Sequence, residues 1–393
     1  MGGGGARAAY QVGVLRGLAR HRPDFSIQIL TGVSAGAINT AHLANHLGTM
    51  RQAVEELAGL WERLRMEDVF RVDPASLGLT GVRWLGQLLS GGRGRSSRVQ
   101  GLVDTQPLRE FLTEATFAVD GEFRGIRANL ERGRLRAVAL SASSYTTGQS
   151  ITWVQGRNIR EWERPMRRAR QTELTVDHVM ASAALPLFFP AVQVGDQWFG
   201  DGGIRLTAPL SPAVHLGASR ILAISTRYEP GRVEADQPAV RGYPPPAQVA
   251  GVLMNAVFLD LLDQDALRME RLNHLLRHVP PESRDGLRPV ELLILRPSTD
   301  LGKLANQFEP RIPRTIRFLS RGLGTRPSRG SDFLSLILFQ PDYLTALIQQ
   351  GEADAEARMD EILAFVDRGE EGVGLRPGAG EEGDGRGTDD PPT

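Results

Sequence analysis

Apolar positions along the chain recur with two periods, and the switches between them mark where elements should change. After a glycine run, Gly2 to Gly5, the residues Val12, Leu15 and Leu18 fall on one face at helical spacing, and the pattern stops at His21-Arg22-Pro23. Ser26-Ile27-Gln28-Ile29-Leu30 then alternates as a half-buried strand does. It leads straight into Gly32-Val33-Ser34-Ala35-Gly36. Small residues beyond that predict a helix over 37–46, and Val54, Leu57, Leu60, Trp61 and Leu64 predict an amphipathic one over 51–66. Further on, 135–142 and 150–155 read as strands around a Thr147-Gly148 turn, 175–184 as a helix, and Gly195-Asp196 as the turn of a hairpin. Arg220 to Thr226 is short and nearly all apolar, the pattern of a strand buried on both faces. Residues 247–280 place Val249, Val252, Leu253, Val257, Leu259 and Leu262 at long-helix spacing. A strand over 290–297, able to join the same sheet, and helices over 332–351 and 352–367 complete the pattern. Strands alternating with helices predict an α/β layer architecture.

Three stretches break this rhythm. Residues 68–105 are rich in Gly and Arg, yet hold Val82, Trp84, Leu85, Leu88 and Leu89. Such a cluster reads as a small core packed on the main body, or alternatively as a lid or membrane-contact element. Arg160, Arg164, Arg167, Arg168 and Arg170 form a basic run, either a solvated helix face or a contact for anionic headgroups. The last stretch is Gly, Glu, Asp and Pro with almost nothing to bury, which predicts disorder.

Composition narrows the field. Hydrophobic residues make up 41% of the 393, a globular proportion. Lys+Arg and Asp+Glu each total 46, so nothing in the overall charge suggests a nucleic-acid binder. Cysteine is absent, which removes disulfides, thiol catalysis and cysteine-ligated metal sites together. No apolar run approaches the roughly 18 residues that suggest a membrane span. MGGGGARAAY lacks the basic and apolar regions of a secretory signal, and Ala6 stands where a myristoylation site wants Ser or Thr. A cytoplasmic protein, with membrane contact no more than peripheral, is the expectation.

The strongest chemical signal is Gly32-x-Ser34-x-Gly36 between a strand and a helix. A nucleophile must stand clear of its own backbone, and a tight strand-to-helix turn achieves this at the cost of strain, with glycines where side chains would collide. The helix start beyond Ser34 aims free N–H groups at developing negative charge. A Ser-His-Asp triad is disfavoured. Only about 30 residues precede the serine, too few for the strands that precede such an elbow in an α/β-hydrolase. His215, His274 and His278 sit in no glycine-rich loop, and His42 and His46 lie on the helix after the elbow, away from its start. Asp201 is the better candidate base: Phe199-Gly200-Asp201-Gly202-Gly203 sets a carboxylate just after a strand, between glycines that allow close approach. An aspartate of ordinary pKa, about 3.9, is a weak base and needs a partly dry pocket to serve. The glycine run fits a dinucleotide fingerprint only loosely, with Asp24 near the expected acid, but no strand precedes it. A glycine-rich loop opening a helix can equally present N–H donors to an oxyanion.

Taken together, these elements resemble the patatin-like phospholipase family. The matching residues are Gly3-Gly4-Gly5-Ala6-Arg7 with Tyr10-Gln-Val-Gly-Val-Leu, Gly32-Val-Ser34-Ala-Gly36, Ala181-Ser-Ala-Ala-Leu-Pro186 with Phe188-Phe-Pro190, and Asp201-Gly202-Gly203. The resemblance implies an α/β fold, a three-layer α/β/α sandwich with a mostly parallel central sheet and a helical C-terminal extension. It divides the chain into a catalytic domain (1–232), a helical region packed on it (233–366) and a disordered, acidic, Gly-rich tail (367–393). It implies a serine lipid acyl hydrolase, phospholipase A- or lysophospholipase-like, working through an acyl-serine. Ser34 would be the nucleophile and Asp201 the base, with Gly32 and Gly36 shaping the elbow and Gly202 and Gly203 the aspartate loop. Backbone N–H groups of Gly3, Gly4 and Gly5 would form the oxyanion hole, supported by Arg7. No cofactor and no metal are implied, and the partner is a lipid or phospholipid met by transient membrane contact, not a nucleic acid. The chain departs from the family pattern at Ala8, where a glycine is usual, and around Thr207-Ala208-Pro209, where an Asn is usual. It also opens at the glycine loop, so the family's first apolar strand is expected upstream of residue 1. The alternatives are a non-catalytic lipid-binding or regulatory relative and, more remotely, a dinucleotide-binding oxidoreductase.

Overall fold

A computed structural model describes residues 1–71, 101–231, 261–308 and 331–368, together with a few single positions between 232 and 260. The apolar cluster Val82–Leu89, the first half of the helix expected over 247–280, and all but the start of the acidic tail lie outside the described residues.

The chain begins with the glycine loop and a short 3-10 turn, Gly5–Ala8, which runs into α1 (Ala9–His21). Strand β1 (Ile29–Val33) follows, then α2 (Ala35–Asn45), α3 (Met50–Arg63) and the single turn α4 (Met66–Val69). Helices α5 (Gln106–Ala115) and α6 (Arg124–Glu131) complete the crossover to β2 (Ala137–Ser144). Next come β3 (Ser150–Gly156), β4 (Glu163–Arg164), β5 (Arg167–Gln171) and α7 (Val176–Ser182). The hairpin β6 (Val192–Val194) and β7 (Gln197–Asp201) leads through α8 (Ser211–His215) to β8 (Arg220–Ile224). The remainder is α9 (Leu261–His278), β9 (Glu291–Leu295), α10 (Leu301–Ala305), α11 (Ser331–Ile337), α12 (Pro341–Ala357) and α13 (Met359–Asp367).

Local chemistry explains several boundaries. Thr49 and Gln52 form a reciprocal capping box that starts α3, and Thr175 with His178 does the same for α7. Asp300 accepts hydrogen bonds from the N–H groups of Gly302 and Lys303 to start α10. The basic run of Arg164 to Arg170 is the β4–β5 pair, not a helix face, and Arg168 pairs with Glu163 at 2.6 Å.

The main sheet runs β4-β5-β3-β2-β7-β6, with β1 also on β2. The expected mostly parallel sheet is corrected: four of its pairings are antiparallel (β2–β3, β2–β7, β4–β5, β6–β7) and two parallel (β1–β2, β3–β5). The reason is in the connections. The turn at Thr147-Gly148 and the hairpin at Gly195-Asp196 reverse the chain at once, whereas parallel pairing of β1 with β2 uses the long helical crossover. Strands β8 and β9 pair in parallel, as a separate two-stranded sheet. A hollow between the two sheets is lined by Thr31–Val33 on one side and Ile221–Thr226 on the other. Met1–Gly3 line it too: the Met1 amino group donates to Thr31 O (2.7 Å) and the Val33 N–H to Met1 O (3.3 Å).

Helices cover both faces. Val138, Leu140 and Ala142 of β2 belong to the large core shared with α1, α2, α3, α5 and α12, while Ala137 and Ala139 point into a small cluster on the other face. That alternation is the period of a strand. Helix α12 sits in the large core through Tyr343, Leu344, Leu347 and Ile348. Its backbone touches α1 so closely that a Cβ on Gly13 would strike the Ile348 carbonyl, and one on Gly351 the Tyr10 carbonyl. Arg16 of α1 reaches Glu62 of α3 (2.8 Å) and Glu352 of α12, tying the three helices together at the surface.

Candidate active site

Strand β2 positions the two central residues. Its consecutive residues Ser141 and Ala142 pair with Val33, the last residue of β1, and with Asp201, the last residue of β7. Ser34 follows Val33, so the ends of a parallel and an antiparallel neighbour arrive side by side on one edge of β2. Ser34 is the N-cap of α2 with φ 57° and ψ −134°, a conformation that a side chain adopts only under strain. The motif glycines make room for it. A Cβ on Gly32 would meet Thr40 Oγ1 and Gly36 O, and one on Gly36 would meet the carbonyls of Gly2 and Met1. Ser182 at the end of α7 locks the turn: its hydroxyl accepts from Ser34 N–H (3.0 Å) and donates to Ser141 O (2.6 Å).

Asp201 is fully buried. Its Oδ1 accepts from Gly203 N–H (2.9 Å), and a Cβ on Gly202 would collide with the Ser141 carbonyl, so contact requires a glycine at 202. Oδ2 is buried without a hydrogen-bond partner; no bond of ordinary length joins it to Ser34. Burial raises the carboxyl pKa to about 7, while the nearby Ser34 hydroxyl and the Gly203 N–H pull it back. A carboxyl at that value is partly ionised near neutral pH, as a general base requires.

The glycine loop lies directly against the serine: a Cβ placed on Gly3 would be 2.9 Å from Ser34 Cβ and 3.4 Å from Ser34 Oγ. Gly4 has φ 142°, open to glycine alone at no cost, and Thr226 Oγ1 donates to Gly3 O (2.8 Å), which orients the loop. Among the described residues, the loop's backbone hydrogen bonds do not use the N–H of Gly3 or Gly4. Arg7 is buried and its Nε donates to Ser335 Oγ (2.7 Å), so it braces the loop against α11. Leu336 O packs onto Gly5.

A cavity opens from Ser34, Asp201, Gly4 and Gly5. It runs along one face of α2, past Ala35 and Ile38 to His42, between α3 and α5, with Leu57, Trp61, Leu108, Leu112, Phe189 and Phe339 among its apolar walls. His42 is eight residues from Ser34, about 12 Å along a helix, and so is no base for it. Burial lowers the His42 pKa to about 4, opposed by the Glu56 carboxylate. His178 is likewise buried and lowered to about 4, and it caps α7. Among the described residues, no group of three His, Asp or Glu side chains gathers that could hold a metal ion.

Sequence reasoning thus named Ser34, Asp201 and every glycine now in contact with them. It did not single out Ser182, Thr226 or Ser335, and it named His42 only to set it aside as a base. Ser182 stood inside the small-residue block Ala181–Pro186, and His42 at i+4 from Ile38, on the helix face that the spacing itself defines. Thr226 and Ser335 carry no local signal.

An elbow serine, a buried carboxylate and an apolar cavity define a hydrolase-type site on an α/β/α-like sandwich. Residues 1–214 match the family described as patatin-like phospholipase, and the chain belongs to that family of lipid hydrolases. No curated protein is matched. Among solved structures, the chain has a distant likeness to VipD from Legionella pneumophila, at 12% identity and a TM-score of 0.30. The alignment covers 88% of this chain but only 65% of that one.

Among the described residues, no helix is long and apolar enough to cross a membrane.

Proposed function

We propose that the protein is a serine lipid acyl hydrolase of phospholipase A or lysophospholipase type, acting through a Ser34–Asp201 dyad. The observation that carries this reading is the pairing of Val33 and Asp201 with adjacent residues of β2, which sets the serine and a half-ionised carboxyl at the mouth of an apolar cavity. In the first half-reaction Asp201 takes the Ser34 proton as Oγ attacks the acyl carbonyl carbon. The oxyanion is held by N–H groups of the Gly3–Gly5 loop and of the α2 start. Collapse breaks the ester C–O bond, Asp201 passes its proton to the leaving alkoxide, and acyl-Ser34 remains. Water then attacks the acyl carbon, giving its proton to Asp201. The tetrahedral centre releases the fatty acid, and the proton returns to Ser34 Oγ.

The substrate end also supports a lipid surface as the source. Leu187 is 70% exposed with φ 66°, between the cavity-lining Leu185 and Phe189, so an apolar tip stands beside the chain-binding space.

The test is fatty-acid release from phosphatidylcholine vesicles. The Ser34→Ala protein should lose at least about 10⁴-fold in rate; release that survives would mean another nucleophile. Leu187→Asp should slow vesicle hydrolysis severalfold while sparing a short soluble ester. Equal loss on both substrates would remove the membrane-contact part.

A further inference from the structure

The cavity beside Ser34 is apolar along its length but polar at both ends. Ser34 and Asp201 form one end, and His42 with Thr116 the other. The far end is also a partition. His42, Ala115 and Thr116 line, in addition, a second hollow that continues along α2 past Asn45 and His46. That hollow differs in character: Glu56 and Arg124 line it, and His46 pairs with Glu56 at 3.2 Å. Thr116 is fixed in the wall, because its hydroxyl donates to Leu112 O at 2.6 Å. The His42 ring is 4% exposed, and its Nε2 is buried without a hydrogen-bond partner.

We propose that His42 and Thr116 are the end wall of the acyl pocket, so that the protein is cut for acyl chains of about eight to ten carbons. The inference rests on the reading of Ser34 as the acyl-accepting group and extends it to the substrate's length. Ser34, Ile38 and His42 follow one face of α2, and eight residues of helix advance about 12 Å. A fully staggered hydrocarbon chain covers that distance in about ten carbons. A longer chain meets the imidazole first. The second hollow, where Leu47 and Phe117 stand beside Glu56 and Arg124, is open to further methylenes only once the ring is out of the way. The ring is neutral at working pH, since its pKa lies at about 4, so the wall carries no charge that would repel a chain from the pocket itself.

The experiment is binding of free saturated fatty acids from six to eighteen carbons, below their micelle concentrations, to the Ser34→Ala protein, read by calorimetry. Because it needs no turnover, its result is separate from the fate of the dyad, which fatty-acid release by the wild-type chain decides. Each added methylene should tighten binding severalfold up to about ten carbons, the increment expected for buried CH₂ groups, and then stop. In Ser34→Ala with His42→Ala the gain should continue to about fourteen carbons or beyond, because the two hollows join. With His42→Phe, a wall of similar size but without the ring nitrogens, the break should stay at or below ten carbons. Affinity that keeps rising through sixteen carbons with His42 intact would overturn the proposal. So would a break that His42→Ala, folded by circular dichroism, leaves in place.

Discussion

The two ends of the cavity face the same physical problem and resolve it in opposite chemical directions. Each buries a titratable side chain with one polar atom unpaired, Asp201 Oδ2 at one end and His42 Nε2 at the other. Burial disfavours the charged form in both cases. For a carboxyl the neutral form is the protonated one, so the pKa rises to about 7 and Asp201 becomes a base that can exchange a proton near neutrality. For an imidazole the neutral form is the deprotonated one, so the pKa falls to about 4 and His42 is taken out of acid–base work. The same desolvation that makes an aspartate useful makes a histidine inert, which is why a dyad of serine and aspartate suits so dry a site.

The largest break in that comparison is Asp201→Asn. It should lower kcat/KM about 10³-fold or more, because the proton acceptor is gone while the fold is kept. It should also raise the melting temperature. Folded Asp201 holds a proton up to about pH 7, whereas an unfolded aspartate holds one only up to about 3.9. Wild-type stability is therefore lost as pH rises through that interval, and the variant's advantage should be larger at pH 8 than at pH 5. Melting curves at the two pH values check the sign; a variant less stable at pH 8 would mean that the carboxylate is better satisfied than its burial suggests.

Next in size is Gly3→Ala. Its methyl would press on Ser34 Cβ at 2.9 Å, so the loop must shift from the serine. A loss of about 10²-fold in kcat is expected, with KM for a short ester little changed. A fall in KM-linked binding alone would show that the loop holds substrate and not the oxyanion.

The pH profile sharpens the contrast most directly. Log kcat/KM should rise by about one unit per pH unit below a midpoint near 7 and level above it, because the base must be ionised. The midpoint should not move in His42→Gln, since a ring with a pKa of about 4 does not titrate there. A midpoint that moves with His42 would assign it a proton in the reaction.

Much of the site was legible from short segments because its constraints are local. An elbow serine needs its two glycines within the same turn, and Asp201 needs Gly202 and the N–H of residue 203 next to it, so contact and sequence neighbourhood coincide. The helices were readable for the same reason, as with the spacing of Val54, Leu57, Leu60 and Trp61 on α3. The strand expected over Ser26–Leu30 lies a few residues later, Ile29–Val33, because pairing with β2 and not alternation sets its ends.

Sheet direction was the clear miss. Alternating apolar residues look alike in parallel and antiparallel strands, and direction depends on whether a turn or a helix follows. The brace between Arg7 and Ser335 joins positions 328 residues apart, and no local pattern encodes a bond of that kind. The polar partition at His42 is similar: its helix face was set by spacing from Ser34, but the wall exists only because α5 brings Thr116 beside it. By itself, then, the sequence determined the family and singled out Ser34 and Asp201 as the candidate pair, since each is written in contiguous residues. Tertiary structure alone decided the strand directions, the raised pKa of Asp201 and the length of the cavity, because burial and closure depend on segments far apart in the chain.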